Sequence, residues 1–161
     1  MLVRRAVKSD IQDIQELDKE STVYHRRFDR DLYQVSEKWW KVKRKFQLAA
    51  MKDSKNLVLV AEDGKRIVGY LWGYVERLNK YNIGKIQELI VSTRYRRKGI
   101  GTRLIKNLLK FFKDKNCIIA EVTVNAKNGA AIKTYERLGF EKREYKMQLK
   151  IDKKRKFSPF A

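Results

Sequence analysis

The chain is poor in the residues from which most enzymes build a nucleophile or a metal site. It has one histidine, His25, and one cysteine, Cys117. A Ser-His-Asp triad would need His25, a cysteine–histidine pair would need both, and a His- or Cys-rich zinc site cannot be assembled within one chain. No intramolecular disulfide can form, so a reducing, cytoplasmic setting is expected. The single proline, Pro159, lies near the end, no Pro- or Ser-rich linker divides the chain, and no repeat is visible. No apolar run approaches the roughly 20 residues needed to span a bilayer, which argues against a membrane protein. MLVRRAVKSD lacks the apolar stretch of a secretory signal. Charge is lopsided: 19 Asp and Glu face 39 Lys and Arg, a net charge of +20. Such an excess favours an anionic partner, whether nucleic acid, an anionic membrane or a phosphate-rich small molecule.

What the chain does have is a globular composition, 43% apolar and 11% aromatic over 161 residues. A length of this order buries about 70% of its unfolded surface without staples. One domain is expected over residues 1–151, with a basic tail at 152–161 that holds Lys153, Lys154, Arg155 and Lys156. Residues 2–7 read as a strand. Ser9 is a candidate N-cap for a helix with Ile11, Ile14 and Leu17 on one face. Residues 21–35 are ambiguous. Ser36 suits the N-cap of a second helix carrying Trp39, Trp40, Val42, Phe46 and Ala50. Residues 56–75 read as two strands joined at Asp63-Gly64, and 85–92 as a fourth strand. A helical pattern follows from Ile100 to Phe112, then a strand at 118–124. A short helix from Asn128 to Leu138 would close on Gly139, and alternation suggests a last strand at 141–151. The order β-α-α-β-β-β-α-β-α-β implies an α/β or α+β layered fold.

The strand-turn-helix at 86–112 carries the most chemistry. Arg96-Arg97-Lys98-Gly99-Ile100-Gly101 fits R-x-x-G-x-G. Its two glycines permit a tight turn and close approach to a ligand. The following helix presents unpaired amides and its positive dipole end, a site suited to a pyrophosphate. Arg94 adds a further positive charge, and Thr102 offers a hydroxyl. A Walker A loop is absent, and the dinucleotide fingerprint fails because Leu104 stands where its last glycine would be. On its own the motif could also be a loop-shaping turn on a basic surface.

About 30 residues downstream the chain reads Asn128-x-x-Ala131-x-x-x-Tyr135-x-x-x-Gly139-Phe140. This pair of motifs, with the strand KIQELIVS before the first, resembles the GNAT superfamily of N-acetyltransferases. The resemblance is specific over 85–140 and looser elsewhere. It implies a GNAT-type fold, a mixed central sheet with helices on both faces, and acetyl-CoA as acetyl donor. By the same resemblance, backbone groups of Leu89 and Val91 would pair with the pantetheine arm. Amides of Arg96, Arg97, Lys98, Gly99, Ile100, Gly101 and Thr102 would hold the pyrophosphate. Asn128 would bond the pantetheine, and Tyr135 would protonate the leaving thiolate. Arg97 stands where glycine is frequent and Thr93 where proline is frequent. The acceptor pocket of such a fold would draw on residues 20–50 and 76–84.

Acetyl transfer to an amine requires loss of a proton from an ammonium whose reference pKa is about 10.4. Glu88, facing away from Leu89 by strand alternation, is the first candidate base; Glu121 is the second. Some relatives carry a glutamate where this chain has Thr123, so the base cannot be copied across, and Glu88 could equally be a strand carboxylate paired with a lysine. Tyr135 could be a packing aromatic and Asn128 only a helix cap. Cys117 reads as apolar filler. Trp39, Trp40, Trp72 and Phe46 read as core or as wall of the acceptor site. The expected activity is acetyl transfer from acetyl-CoA to a primary amine: a protein N-terminus, a lysine or a small molecule. The alternatives are a basic nucleic-acid- or ribosome-associated binder and a non-catalytic acyl-CoA-binding protein; a homodimer is compatible with either class. Net charge is +6 over residues 1–80 and +14 over 81–161, so the excess gathers in the half with the proposed cofactor motifs.

Overall fold

Residues 1–149 are described by the computed structural model. Their elements run β1 (Leu2–Arg5), α1 (Ile11–His25), α2 (Glu37–Ala50), β2 (Asn56–Asp63), β3 (Arg66–Leu78), β4 (Tyr81–Val91), α3 (Ile100–Asp114), β5 (Cys117–Val122) and α4 (Gly129–Glu136). The sheet order is β1-β2-β3-β4-β5. The first four strands are antiparallel neighbours and β5 joins β4 in parallel, so the sheet is mixed as expected.

Helices cover both faces. Alternate β2 residues point to opposite sides, and both sides are buried, which explains the nearly unbroken apolar run LVLVA. Leu57, Leu59 and Ala61 meet Ile100, Leu104, Ile105, Leu108 and Phe112 of α3. Val58 and Val60 meet Ile14 and Leu17 of α1 and Ala50 of α2. Alpha-helix α3 lies close to the sheet because Gly84 leaves room for the ring of Phe112; a Cβ there would collide with it.

Ser36 caps α2, its Oγ accepting from Trp39 N at 3.3 Å. Gly64 turns the β2–β3 hairpin at φ +62°. Ser9 does not cap α1. A single 3-10 turn, Lys8–Asp10, precedes the helix, and Asp10 accepts from Val7 N at 2.8 Å. The same carboxylate takes two bonds from the Arg4 guanidinium, at 2.7 and 3.0 Å. Residues 76–84, expected as a loop, instead extend the β3–β4 hairpin around Asn79-Lys80. No strand forms over 141–149. The alternation there has nothing to bury it: Tyr145 is 90% and Met147 92% exposed. Positions 150 and 151 of that expected strand, and the basic tail, lie outside the described residues. Among the described residues, no helix is long and apolar enough to cross a membrane.

Candidate active site

The site begins with an irregularity in β4. Gly73 pairs with Ile86 and Trp72 with Glu88, which leaves Gln87 as an extra residue, a β-bulge. The insertion changes which face each side chain takes. Ile86 joins the α3 face of the core, while Glu88, two residues on, points to the α1–α2 face. The pairing with β5 stops at the same place. Its last partners are Ile86 and Val122, and beyond them β4 and β5 no longer pair. A cavity of about 370 Å³ fills the gap, bounded by 86–90 of β4, 122–125 after β5, and residues of α1, α2 and α4. An extended ligand can reach the open edge of β4 there as an added strand would.

At the far end of that edge the chain turns into α3. Arg97 adopts φ +61° and Gly99 φ +75°. Arg97 thus holds the left-handed conformation that explains why glycine is frequent at that position. Arg103 N, donating to Gly99 O at 3.0 Å, opens the helical ladder; the amides of Ile100, Gly101 and Thr102 precede it and have no carbonyl partner within the helix. The start of α3 abuts the ligand edge: a Cβ on Gly101 would lie 3.7 Å from Leu89 and 3.8 Å from Val91 side chains. Arg96 is committed elsewhere, donating to Val91 O at 3.1 Å and stacking on Tyr24 at 4.1 Å.

Of the sequence-derived candidates, Glu88, Leu89, Asn128 and Tyr135 line the cavity, whereas Val91 and residues 96–102 do not; they sit just past it, at the loop and helix start. Asn128 caps α4, its Oδ1 accepting from Ala131 N at 3.3 Å. Tyr135 is 6% exposed and stands edge-on to Phe140 at 5.3 Å; burial pushes its phenol up to about 12. Trp39 and Trp40 form part of the cavity wall, while Phe46 is exposed on the outside of α2. Glu121, the second candidate base, is outside the cavity and pairs with Lys85. The expected 76–84 contribution is also absent from the lining, because those residues are spent on the hairpin. His25 does line the cavity, yet its Nδ1 donates to Ser21 O at 2.8 Å and its ring stacks on Tyr33. Cys117 packs against the α3 core, and burial pushes its thiol up.

Glu88 has companions that no sequence motif disclosed. Tyr70 of β3, fully buried, contacts Glu88 Oε2 and lies 2.6 Å from Asp18 Oδ1 of α1. Lys43 of α2 bridges both carboxylates, at 2.8 Å to Asp18 and 2.5 Å to Glu88. Gln47 donates to Asp18 Oδ2 at 2.7 Å and to the Tyr70 oxygen at 3.3 Å. Lys43 and Gln47 are four apart on one face of α2, the helical spacing that aims both at α1. Burial above all, together with the Asp18 charge, holds the Glu88 carboxyl above the usual carboxylate range; the Lys43 ammonium pulls the other way.

Comparison with known proteins places the chain in a family. The acetyltransferase (GNAT) family model matches residues 11–140. An uncharacterized N-acetyltransferase of Methanocaldococcus jannaschii is 30% identical over 145 residues, covering 88% of this chain and 61% of that protein. The catalytic subunit of the N-terminal acetyltransferase B complex of Arabidopsis thaliana is 37% identical over 79 residues, 48% of this chain and 45% of the relative. The chain therefore spans about half to three-fifths of the length of these curated relatives. In fold it is similar to the BH1408 protein of Bacillus halodurans, with a TM-score of 0.83 at 22% identity over 94% of this chain and 100% of the other. With the matched model reaching from the first residue of α1 to the end of the Tyr135 motif, the chain belongs to the GNAT acetyltransferase family.

Proposed function

We propose that the chain transfers an acetyl group from acetyl-CoA to a primary amine. The observation that carries this is the parting of β4 from β5 beside the start of α3, with Glu88 and Tyr135 lining one cavity in the gap. The open edge of β4 at Leu89 and Val91 receives the pantetheine arm. The amides of 96–102 receive the pyrophosphate, where an anion meets unpaired N–H groups and the helix dipole together. Asn128 keeps its cap and offers its amide N–H₂ to the same arm.

The acceptor enters as an ammonium past Trp39, Trp40 and Tyr33. Glu88 takes its proton, either directly or through one water, and the neutral nitrogen attacks the thioester carbonyl. The new C–N bond forms as the C–S bond breaks, the electron pair leaves on sulfur, and the nitrogen's second proton passes through water to that thiolate, leaving the amide and the free thiol. Tyr135 still holds its proton at neutral pH because its phenol is raised to about 12. A free thiol titrates near 8.5, so Tyr135 steadies the departing thiolate chiefly by a charge-assisted hydrogen bond.

A peptide N-terminus is the acceptor class we favour, since one relative is the catalytic subunit of an N-terminal acetyltransferase complex. The test is a thiol-release assay with purified protein, acetyl-CoA and three acceptor sets: peptides with free N-termini, N-blocked lysine peptides and small amines. Release confined to the first set supports the proposal. Release with lysine peptides or small amines alone moves the acceptor class, and no release with any of them refutes the activity.

A further inference from the structure

Glu88 belongs to a largely buried network in which a single hydroxyl faces two carboxylates. Tyr70 has one hydroxyl proton but stands between two carboxylates, Asp18 and Glu88. Its oxygen already accepts from Gln47. A hydroxyl donates once, so with both carboxylates ionised one of its two carboxylate contacts is an oxygen facing an oxygen. Both carboxylate contacts of the Tyr70 hydroxyl are met when Glu88 carries a proton. Glu88 then donates to the Tyr70 oxygen, Tyr70 donates to Asp18, and Gln47 and Lys43 supply the remaining donors. Burial makes the difference matter, since an unmet polar contact is costly where water cannot replace it: Asp18 is 1% exposed and Tyr70 0%.

We propose that Asp18, Tyr70 and Lys43 are positioning residues that set the proton affinity of Glu88, Asp18 through Tyr70 raising it and Lys43 holding it down. This rests on Glu88 being the base. A carboxylate in ordinary water is too weak a base to hold a proton taken from an ammonium; one whose protonated form completes a buried hydrogen-bond chain is better suited. Lys43 supplies the opposing limit, keeping Glu88 ionised and ready at neutral pH. The titratable groups on the elements around Glu88 are Asp18 of α1, Lys43 of α2 and Tyr70 of β3. His25 of α1, Tyr33 after it and Tyr135 of α4 border the same cavity.

The experiment is the pH profile of kcat/KM for the wild type, Glu88→Gln, Lys43→Met, Lys43→Arg and Asp18→Asn. In parallel, the Glu88 side-chain carboxyl is titrated by ¹³C NMR in all but Glu88→Gln. Loss of an opposite charge at contact distance moves a carboxyl by about one pH unit or more. Lys43→Met is expected to move the acid limb up by at least that much, Asp18→Asn to move it down, and Lys43→Arg to restore it. The NMR midpoint should follow the same opposed directions without any acceptor present. Merely structural roles would lower activity in both variants and leave the midpoint still, which overturns the inference. If instead the acid limb survives in Glu88→Gln, Glu88 is not the base; the NMR midpoints still decide whether the network sets its proton affinity. Should Lys43→Met fail to fold, Asp18→Asn, nearly the same shape, carries the test alone.

Discussion

Replacing Tyr135 by Phe removes one oxygen and little else. The ring is 6% exposed, belongs to the α3-side core and stands edge-on to Phe140 at 5.3 Å. All of that survives in phenylalanine, so the melting temperature should stay within about a degree of the wild type. On the proposed mechanism, what is lost is the donor to the departing sulfur. Hydrogen bonds to a charged partner contribute about 1.5–3 kcal/mol. At about 1.36 kcal/mol per decade, kcat should fall by roughly 10- to 150-fold. The phenol titrates at about 12, so it is protonated across the accessible range and the variant should lower kcat by the same factor at pH 6 and pH 9. KM for acetyl-CoA should change little, because the bond strengthens only as charge develops on sulfur. Steady-state thiol release across that range, with a thermal melt on each sample, makes the measurement. A kcat within twofold of the wild type would refute the donor role, and a large drop in melting temperature would show that the hydroxyl matters to packing instead.

Three other outcomes are expected. Glu88→Gln should cost about 10²- to 10⁴-fold in kcat/KM yet melt no lower than the wild type at pH 8. Its folded-state proton affinity is raised, so the ionised form costs stability that is felt as pH rises through the folded value, and the amide removes that cost. Asp10→Asn should destabilise by about 1–3 kcal/mol in denaturant titration at pH 7, since it strips the Arg4 guanidinium of its double partner. Burial pushes Asp10 up, but Arg4 and the Val7 amide outweigh it and hold the carboxyl below its ordinary range. The stability it contributes is therefore present above that range and lost as pH falls through the folded value; Asp10→Asn should flatten that acid loss. Gly84→Ala should destabilise by about 1–3 kcal/mol because its methyl presses into Phe112, and an unchanged denaturation midpoint would mean that α3 moves off the sheet more freely than its packing implies.

Both motifs that define the family were legible because their chemistry is local. The R-x-x-G-x-G turn needs only consecutive backbone angles and a helix start, and Arg97 and Gly99 adopt those angles. Asn128 caps and Tyr135 follows two turns later on the same short helix. The expected strand at 141–149 shows the weakness of such reading, since alternation without a burying surface leaves Tyr145 and Met147 in water. The Ser9 cap failed for a related reason. Serine is a good cap in isolation, but a 3-10 turn precedes α1 and Asp10, paired with Arg4, takes the Val7 amide instead.

The sequence by itself determined the layered α/β class, the scarcity of histidine and cysteine, the glycine-bearing turn ahead of α3 and the helix that carries Tyr135. Those rest on composition and on contacts between residues a few positions apart. Only the tertiary structure decided where β4 parts from β5, after Ile86 and Val122, because such an end is a property of two strands in register and not of either alone. It alone also gathered Asp18, Lys43, Tyr70 and Glu88 from four elements into one cluster. Such a cluster has no spacing to be read along the chain; it exists only where α1, α2, β3 and β4 converge.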